Sequence, residues 1–377
     1  MALSPAALMA TNQGNRTDWL NNSLSNRNLI INGAMQVAQR ATSSAASTGY
    51  KSLDRFRWTG SGHASMAGSL AQVDVTDLAG FSKCLKYTVT TPESSISANE
   101  YWWMHTRIEA QDLQHLNYGT SDAKTCTLSF YVRCNVAGTY AVSIQKPDST
   151  DQIFGSTYSI STTQANNSTS ASGWQRVSIT IPANTTQGIA NDNGIGFDIR
   201  WILFAGSNYT STNNTIWAGT SNGGYAYGHN TTMGTVDNST WEITGVQLEL
   251  GNEATSFEHK NYGDELAKCQ RYFQMIAEGN GSPINVGIRY ESNVYCYVDH
   301  PVTMRANPTI YASNASNHFR ILMTGAGYTY STPTAFLDQN VHRTQIRFGS
   351  FSGGSDGNGC WVQTNHADAY FGLNAEL

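Results

Sequence analysis

WEITGVQLELGNEATSFEHKNYGDELAKCQRYF, residues 241–273, carries the pattern that decides the fold. Apolar side chains fall at Trp241 and Ile243, then at Val246, Leu248 and Leu250. The first pair and the later three differ in parity, and the change lies across Thr244-Gly245. A buried strand with a β-bulge produces this pattern, because one extra residue shifts every later side chain by one position. A polar corner follows. Asp264 is then placed to cap a short helix, Asp264 to Gln274, with Leu266, Cys269, Tyr272 and Phe273 on one side. The stretch therefore reads as the end of one β domain and the start of another.

Working outward, period-2 patterns recur from Asn28 to about Phe257. Phe56 and Trp58 alternate with Arg55 and Arg57; Leu85, Tyr87 and Val89 share a face, as do Tyr140, Val142 and Ile144. Val177, Ile179 and Ile181 repeat the pattern, and Ile195, Phe197, Ile199, Trp201 and Leu203 give its longest run. Turn-forming residues separate these runs. Such a series of short strands with almost no helix predicts an antiparallel sandwich of the jelly-roll kind. Past the helix, INVGIRY (284–290), NVYCYV (293–298), FRILMT (319–324), TQIRFGS (344–350), CWVQT (360–364) and AYFGLNAEL (369–377) predict a smaller β-sandwich. The expected fold class is all-β, with an N-terminal segment 1–28, a jelly roll 29–262 and a small β domain 263–377.

Charged residues are only 13% of the chain, while aromatics reach 11%. That mixture suits strands joined by uncharged, hydrogen-bonding loops. A formal net charge of -5 and the lack of any Lys/Arg run argue against nucleic acid as a partner. No apolar run approaches a membrane span. No basic stretch precedes Ala6–Ala10, so an export signal is not expected. The six cysteines lack metal spacing. Cys126 and Cys134 share parity with Leu128, Phe130 and Val132, as small apolar residues on the buried face of one strand. All six are expected to be reduced, as in a protein assembled in a cytoplasm.

Catalytic motifs are weak. Gly219-Thr-Ser221-Asn-Gly223 matches a nucleophile elbow, but no helix pattern follows it, and the motif needs one. Asn191-Asp-Asn-Gly194 resembles half of a calcium loop but lacks the later Glu, so a turn is the better reading. A structural calcium bridging the sandwich loops stays an open alternative that the sequence does not place; no other cofactor or metal ligand set is expected. No carboxylate pair suited to glycoside cleavage stands out. The expectation is a protein without catalysis.

Exposed rings in polar loops stand out instead. Residues 205–240 carry Tyr209, Trp217, Tyr225, Tyr227 and His229 among Asn, Ser and Thr. Sugars offer apolar C–H faces and rings of hydroxyls, so their sites combine flat aromatics with amides and hydroxyls. Two readings stand: these side chains meet a glycan, or Trp217 and the tyrosines fold back to plug the end of the sandwich. In Tyr101-Trp102-Trp103 one tryptophan must point inward, which frees the other, taken as Trp103, for a ligand or subunit contact.

Several pieces resemble tail fibre (adhesin) proteins of tailed bacteriophages, of the type found in phages of cyanobacteria and other marine bacteria. They are NLIINGAMQVAQRAT (28–42), SLDRFRW (52–58), TRIEA (106–110), TLSFYVRCNVAGTYAVSI (127–144), GVQLELGNEATSFEHKNYGDELAKCQRYF (245–273), HPVTMRANPTI (300–310) and NAEL (374–377). The resemblance implies a carbohydrate-binding-module-like jelly roll followed by a small β domain. It further implies a homotrimer on the virion that binds host surface polysaccharide, with residues 1–28 attaching to a tail or fibre-adaptor protein. Binding residues vary in such proteins, so no site carries over by motif. Leu266, Cys269 and Phe273 are spaced to pack at a three-fold axis or, equally, onto their own domain. The alternatives in other classes are a structural adaptor or decoration protein and a glycan-depolymerising tailspike.

Overall fold

The computed structural model describes residues 26–62, 66–315, 317–323, 327–349 and 354–377. The expected attachment segment lies outside these apart from residues 26–28. The chain is all-β and divides into two compact units. One comprises the residues up to Gln36, Ser43–Gly49 and Arg57–Lys260; the other comprises Val37–Thr42, Tyr50–Phe56 and Asn261–Leu377. The second unit is therefore discontinuous in sequence, where the sequence reading placed a single cut at 262/263.

The first unit is a jelly-roll sandwich of two antiparallel sheets. In one, the order is Ser43–Ala45, Ala67–Asp74, Lys83–Thr91, Thr240–Leu250, Cys126–Cys134 and Gln175–Ile181. In the other it is Ala218–Gly219, Gln152–Ile160, Gly138–Lys146, Ile195–Ala205, Tyr101–Glu109, Arg57–Ser61 and Gly49–Tyr50. The chain crosses repeatedly between sheets, so neighbours in space come from distant residues. Inward side chains of both sheets meet in one aromatic core. Trp58 stacks on Tyr87 with centroids 5.2 Å apart, Phe130 meets Trp201 edge to face at 5.8 Å, and Trp241 Nε1 donates to Tyr158 Oη at 2.9 Å. Cys126 and Cys134 are buried on this face.

The bulge lies where the parity change predicts it. Thr244 pairs with Tyr131 but Gln247 pairs with Ser129, so three steps on one strand match two on its partner. The extra residue is absorbed, and Ile243 and Leu248, opposite Val132 and Leu128, stay on the buried face. Gly245 sits at φ +62, in the left-handed region that favours glycine. Beyond the bulge the strand exchanges its neighbour: Val246 N–H donates to Gly33 and Leu29 N–H to Leu248. A Cβ on Gly33 would collide with the Val246 carbonyl oxygen. Leu250, expected among the buried residues, is exposed at the strand end.

The second unit pairs a three-stranded sheet, Phe273–Glu278, Tyr370–Asn374 and Thr309–Ala312, with a seven-stranded one. The latter runs Gly327–Tyr330, Phe319–Met323, Gly359–Thr364, Pro283–Tyr290, Asn293–Asp299, Arg343–Phe348 and Pro333–Gln339. The helix spans Tyr262–Gln270 and its N-cap is Asn261, so Asp264 lies inside the first turn. There its charge favours the helix dipole but does not cap. The expected extension to Gln274 fails because Phe273 begins a strand paired with Asn374. A long-range ladder outweighs local helix propensity here.

Cys269 and Phe273, offered as interface residues, are fully buried within this unit, with the Arg40 guanidinium 3.6 Å above the Phe273 ring; Leu266 is half-buried. Burial pushes the Cys269 thiol up. Beside them lies a buried ion cluster. Arg55 pairs with Glu376 and stacks on Tyr272 at 3.4 Å, and Arg40 Nη1 lies 3.3 Å from Glu376 and 3.9 Å from Asp54. Arg55 alternates with Phe56 in the sequence, yet both are buried, and the Glu376 carboxylate holds Arg55 inside.

Candidate functional site

The outer face of the seven-stranded sheet in the first unit gathers the groups best suited to bind a ligand. In Tyr101–Glu109, Trp102 points inward against Trp58, which leaves Tyr101, Trp103, His105 and Arg107 on the outer face. Across the ladder, His105 pairs with Arg200 and Arg107 with Asp198; Arg200 pairs in turn with Ser143 and Asp198 with Gln145. Arg57 pairs with His105 on the other side. Alternation thus places a row of polar side chains directly across the central strands.

That row is one connected network. Asp198 accepts from Arg107 Nε at 3.2 Å and Arg200 Nη2 at 3.0 Å, and its Oδ1 lies 2.7 Å from His105 Nδ1. His105 Nε2 is 2.9 Å from Thr59 Oγ1 and 3.3 Å from Arg57 Nη1. Arg200 also donates to Gln145 Oε1. Gln145 Nε2 bonds both oxygens of Asp151 at 2.8 Å, and Thr220 Oγ1 donates to Asp151 at 2.8 Å. Burial alone would raise the Asp198 carboxyl, but His105, Arg200 and Arg107 hold it far below the usual carboxylate range. Asp198 is therefore an ionised anchor that orients donors.

Adjoining this row is an aromatic cluster. Tyr101 stacks on Trp103 with centroids 3.9 Å apart and planes 15° apart, and Tyr209 meets Tyr101 edge-on at 4.9 Å. Tyr225 lies 5.8 Å from Trp103, with the Arg200 guanidinium 4.8 Å from its centroid. Tyr101, Tyr209 and Tyr225 are partly exposed, while Trp103 is buried beneath them. The arrangement joins flat rings to a row of guanidinium, amide and hydroxyl groups.

Of the sequence candidates, Tyr209, Tyr225 and Trp103 meet here. Trp217 does not. Its Nε1 donates to the Pro182 carbonyl at 2.7 Å and its ring packs against Tyr118, Phe154 and Phe197, so it folds back onto the sandwich. His229 accepts the Ala141 N–H at 3.2 Å, and burial drives its pKa down to about 3. It braces the loop as a neutral ring. Tyr227 is half-buried. Sequence reasoning missed Tyr101, Arg57, His105, Arg107, Gln145, Asp198 and Arg200. The available signal was charge at the outward positions of GFDIRW (196–201), between core residues Phe197, Ile199 and Trp201.

The elbow match at Ser221 falls in a loop, where a 3-10 turn at Asn222–Gly224 follows it instead of a helix. Asp192 Oδ1 accepts the Gly194 N–H at 2.8 Å, closing a tight turn. Among the described residues, no group of three or more His, Cys, Asp or Glu is placed to hold a metal ion. No helix among them is long and apolar enough to cross a membrane.

No protein-family model matches the chain, and no curated protein matches it. Solved structures do. The enzymatically active domain of tailspike protein 4 of bacteriophage CBA120 aligns at 10% identity and a TM-score of 0.30, over 60% of this chain and 22% of that one. This chain thus spans about a fifth of the tailspike structure. The CBM22-1 xylan-binding domain of a Paenibacillus barcinonensis protein aligns at 10% identity and 0.26, over 52% of this chain and 87% of its own. The family 11 carbohydrate-binding module of a Clostridium thermocellum cellulosomal cellulase aligns at 12% identity and 0.27, over 55% and 99%.

Proposed function

We propose that this chain is a receptor-binding component of a phage virion, holding host-surface glycan on the outer face of its jelly roll without cleaving it. One observation carries the reading: the partly exposed rings of Tyr101, Tyr209 and Tyr225 adjoin a fixed row of guanidinium, amide and hydroxyl groups. Rings take the C–H faces of a sugar, and Arg57, Arg107 and Gln145 supply directed hydrogen bonds to its hydroxyls. The preset network limits the ordering cost of binding. Single contacts of this kind are weak. Several copies on one particle multiply them by roughly 10²–10⁴ in avidity, and the three-fold assembly and tail attachment implied by the sequence resemblance belong to this proposal.

The test is titration of the full chain with host polysaccharide, with cell adsorption in parallel. Replacing Tyr225 by Ala removes one ring and is expected to weaken binding by about tenfold, near 1.4 kcal/mol, in a chain that still melts cooperatively. No binding by the wild-type chain, or equal binding by Tyr225→Ala, overturns the reading. Release of sugar fragments during incubation would make the protein a depolymerase instead.

A further inference from the structure

In the polar network on the outer face of the jelly roll, the acceptors are already engaged. Asp198 Oδ1 takes the His105 Nδ1 hydrogen, and Oδ2 takes Arg107 and Arg200. Both oxygens of Asp151 take Gln145 Nε2, and Gln145 Oε1 takes Arg200. Burial, only partly opposed by Asp198, pushes the His105 imidazole below its ordinary value and keeps it neutral. Ionised Asp198 can only accept, so the His105 proton sits on Nδ1 and Nε2 is an acceptor. Thr59 Oγ1 at 2.9 Å and Arg57 Nη1 at 3.3 Å fill that nitrogen. What remains in the row is donors. Arg57 Nη1 also donates to Thr59 Oγ1 at 3.1 Å, so both of its partners are neutral. Arg57 is half-buried; its Nε and Nη2 have no partner among the described residues, and both reach solvent. Arg107 and Arg200, by contrast, are each bonded to the Asp198 carboxylate. Arg200 Nη1 is a further donor without a partner among the described residues, buried beside Tyr225.

We propose that the glycan held on this face is acidic, and that Arg57 takes the carboxylate of one of its sugars through the Nε–Nη2 edge. The inference rests on the glycan reading above and adds the chemical class of the ligand. A hydroxyl both donates and accepts, so a neutral sugar uses only half of its capacity against groups that only donate. A carboxylate only accepts, and its two coplanar oxygens match the guanidinium fork. A sulfate or phosphate ester shares the negative charge, but one edge of Arg57 leaves a further oxygen of the tetrahedral group without a donor. The strand ties this edge to the rings. On Arg57–Ser61 the outward residues Arg57, Thr59 and Ser61 pair with His105, Trp103 and Tyr101. One step of two residues, about 7 Å, separates Arg57 from the position beside Trp103. A saccharide lying along this strand therefore passes from the Tyr101 ring to the Arg57 guanidinium.

Calorimetric titration of the full chain with host surface polysaccharide, native and after reduction of its carboxylates to alcohols, tests this. The quantity read is the ratio of the two affinities. In the wild type it is expected to favour the native form by on the order of 10-fold to 100-fold, and in Arg57→Gln to fall close to unity. Tyr225→Ala should weaken both forms and keep the ratio. Arg57→Lys keeps the charge without the fork and is expected to fall between, which preserves the test if Arg57→Gln does not fold. Removing sulfate and phosphate esters while sparing the carboxylates should leave binding unchanged. A wild-type ratio near unity, an undiminished ratio in either folded Arg57 variant, or loss of binding on ester removal overturns the proposal while the glycan reading stands. Failure of the wild type to bind either form overturns both.

Discussion

Gly245 is the position where the jelly roll is most sensitive to a single added methyl group. Its φ of +62 requires the left-handed region, which costs a residue with a Cβ roughly 1–2 kcal/mol. A Cβ there would also lie 2.7 Å and 2.9 Å from two ring carbons of Phe81 and 2.9 Å from Tyr131. Those rings are packed against each other and Phe81 against Phe257 as well, at 5.2 Å and 5.1 Å, so neither yields freely. Overpacking of this kind costs about 1–3 kcal/mol. Gly245→Ala should thus lose about 2–5 kcal/mol, lowering the melting temperature of the first unit by roughly 5–15 °C. Gly251→Ala separates the two costs, because Gly251 has φ +112 but nothing within 4 Å of its Cβ position. Calorimetry on both variants and on Gly219→Ala, which has open space and no positive φ, gives the comparison. If Gly245→Ala loses no more than Gly251→Ala, the ring contacts do not constrain the bulge and the reasoning fails.

Burial, only partly offset by Arg40, pushes the Asp54 carboxyl from 3.8 up to about 6. A raised carboxyl favours the native state while protonated, so its contribution is full below pH 3.8 and is lost as pH rises through about 6. The loss is about 3 kcal/mol. Melting of the second unit should accordingly decline across that window more steeply in the wild type than in Asp54→Asn, and parallel curves would refute this. Glu376→Gln leaves Arg55 and Arg40 buried without their shared carboxylate. It is expected to cost about 3–5 kcal/mol in chemical denaturation, and a loss below ~1 kcal/mol would show that the cluster is hydrated.

The candidate site was half legible before the structure. Tyr209 and Tyr225 are readable because rings in a polar loop are conspicuous by composition, and Trp103 because alternation turns one of two adjacent strand tryptophans away from the other. Asp198 and Arg200 hold the outward positions of a core strand, a signal the sequence reading passed over, and nothing local says that His105 and Arg107 stand opposite them. Cross-strand pairing joins residues some ninety positions apart, for example His105 to Asp198, and no periodicity encodes that partnership.

What the sequence determined by itself is local and periodic: an all-β chain, most strand cores, and the bulge at Thr244-Gly245. Side-chain parity is a property of neighbouring residues, so it survives without knowledge of the fold. The tertiary structure decided which face of each strand meets water and which distant segments complete a unit. It drew Arg40, Asp54 and Arg55 into the C-terminal unit, because a buried carboxylate and guanidinium are tolerable only together. It converted Phe273 from helix to strand through Asn374. It also left Val286, Ile288 and Trp361 facing outward although they are as apolar as the core, because the opposite face of the same sheet was already filled.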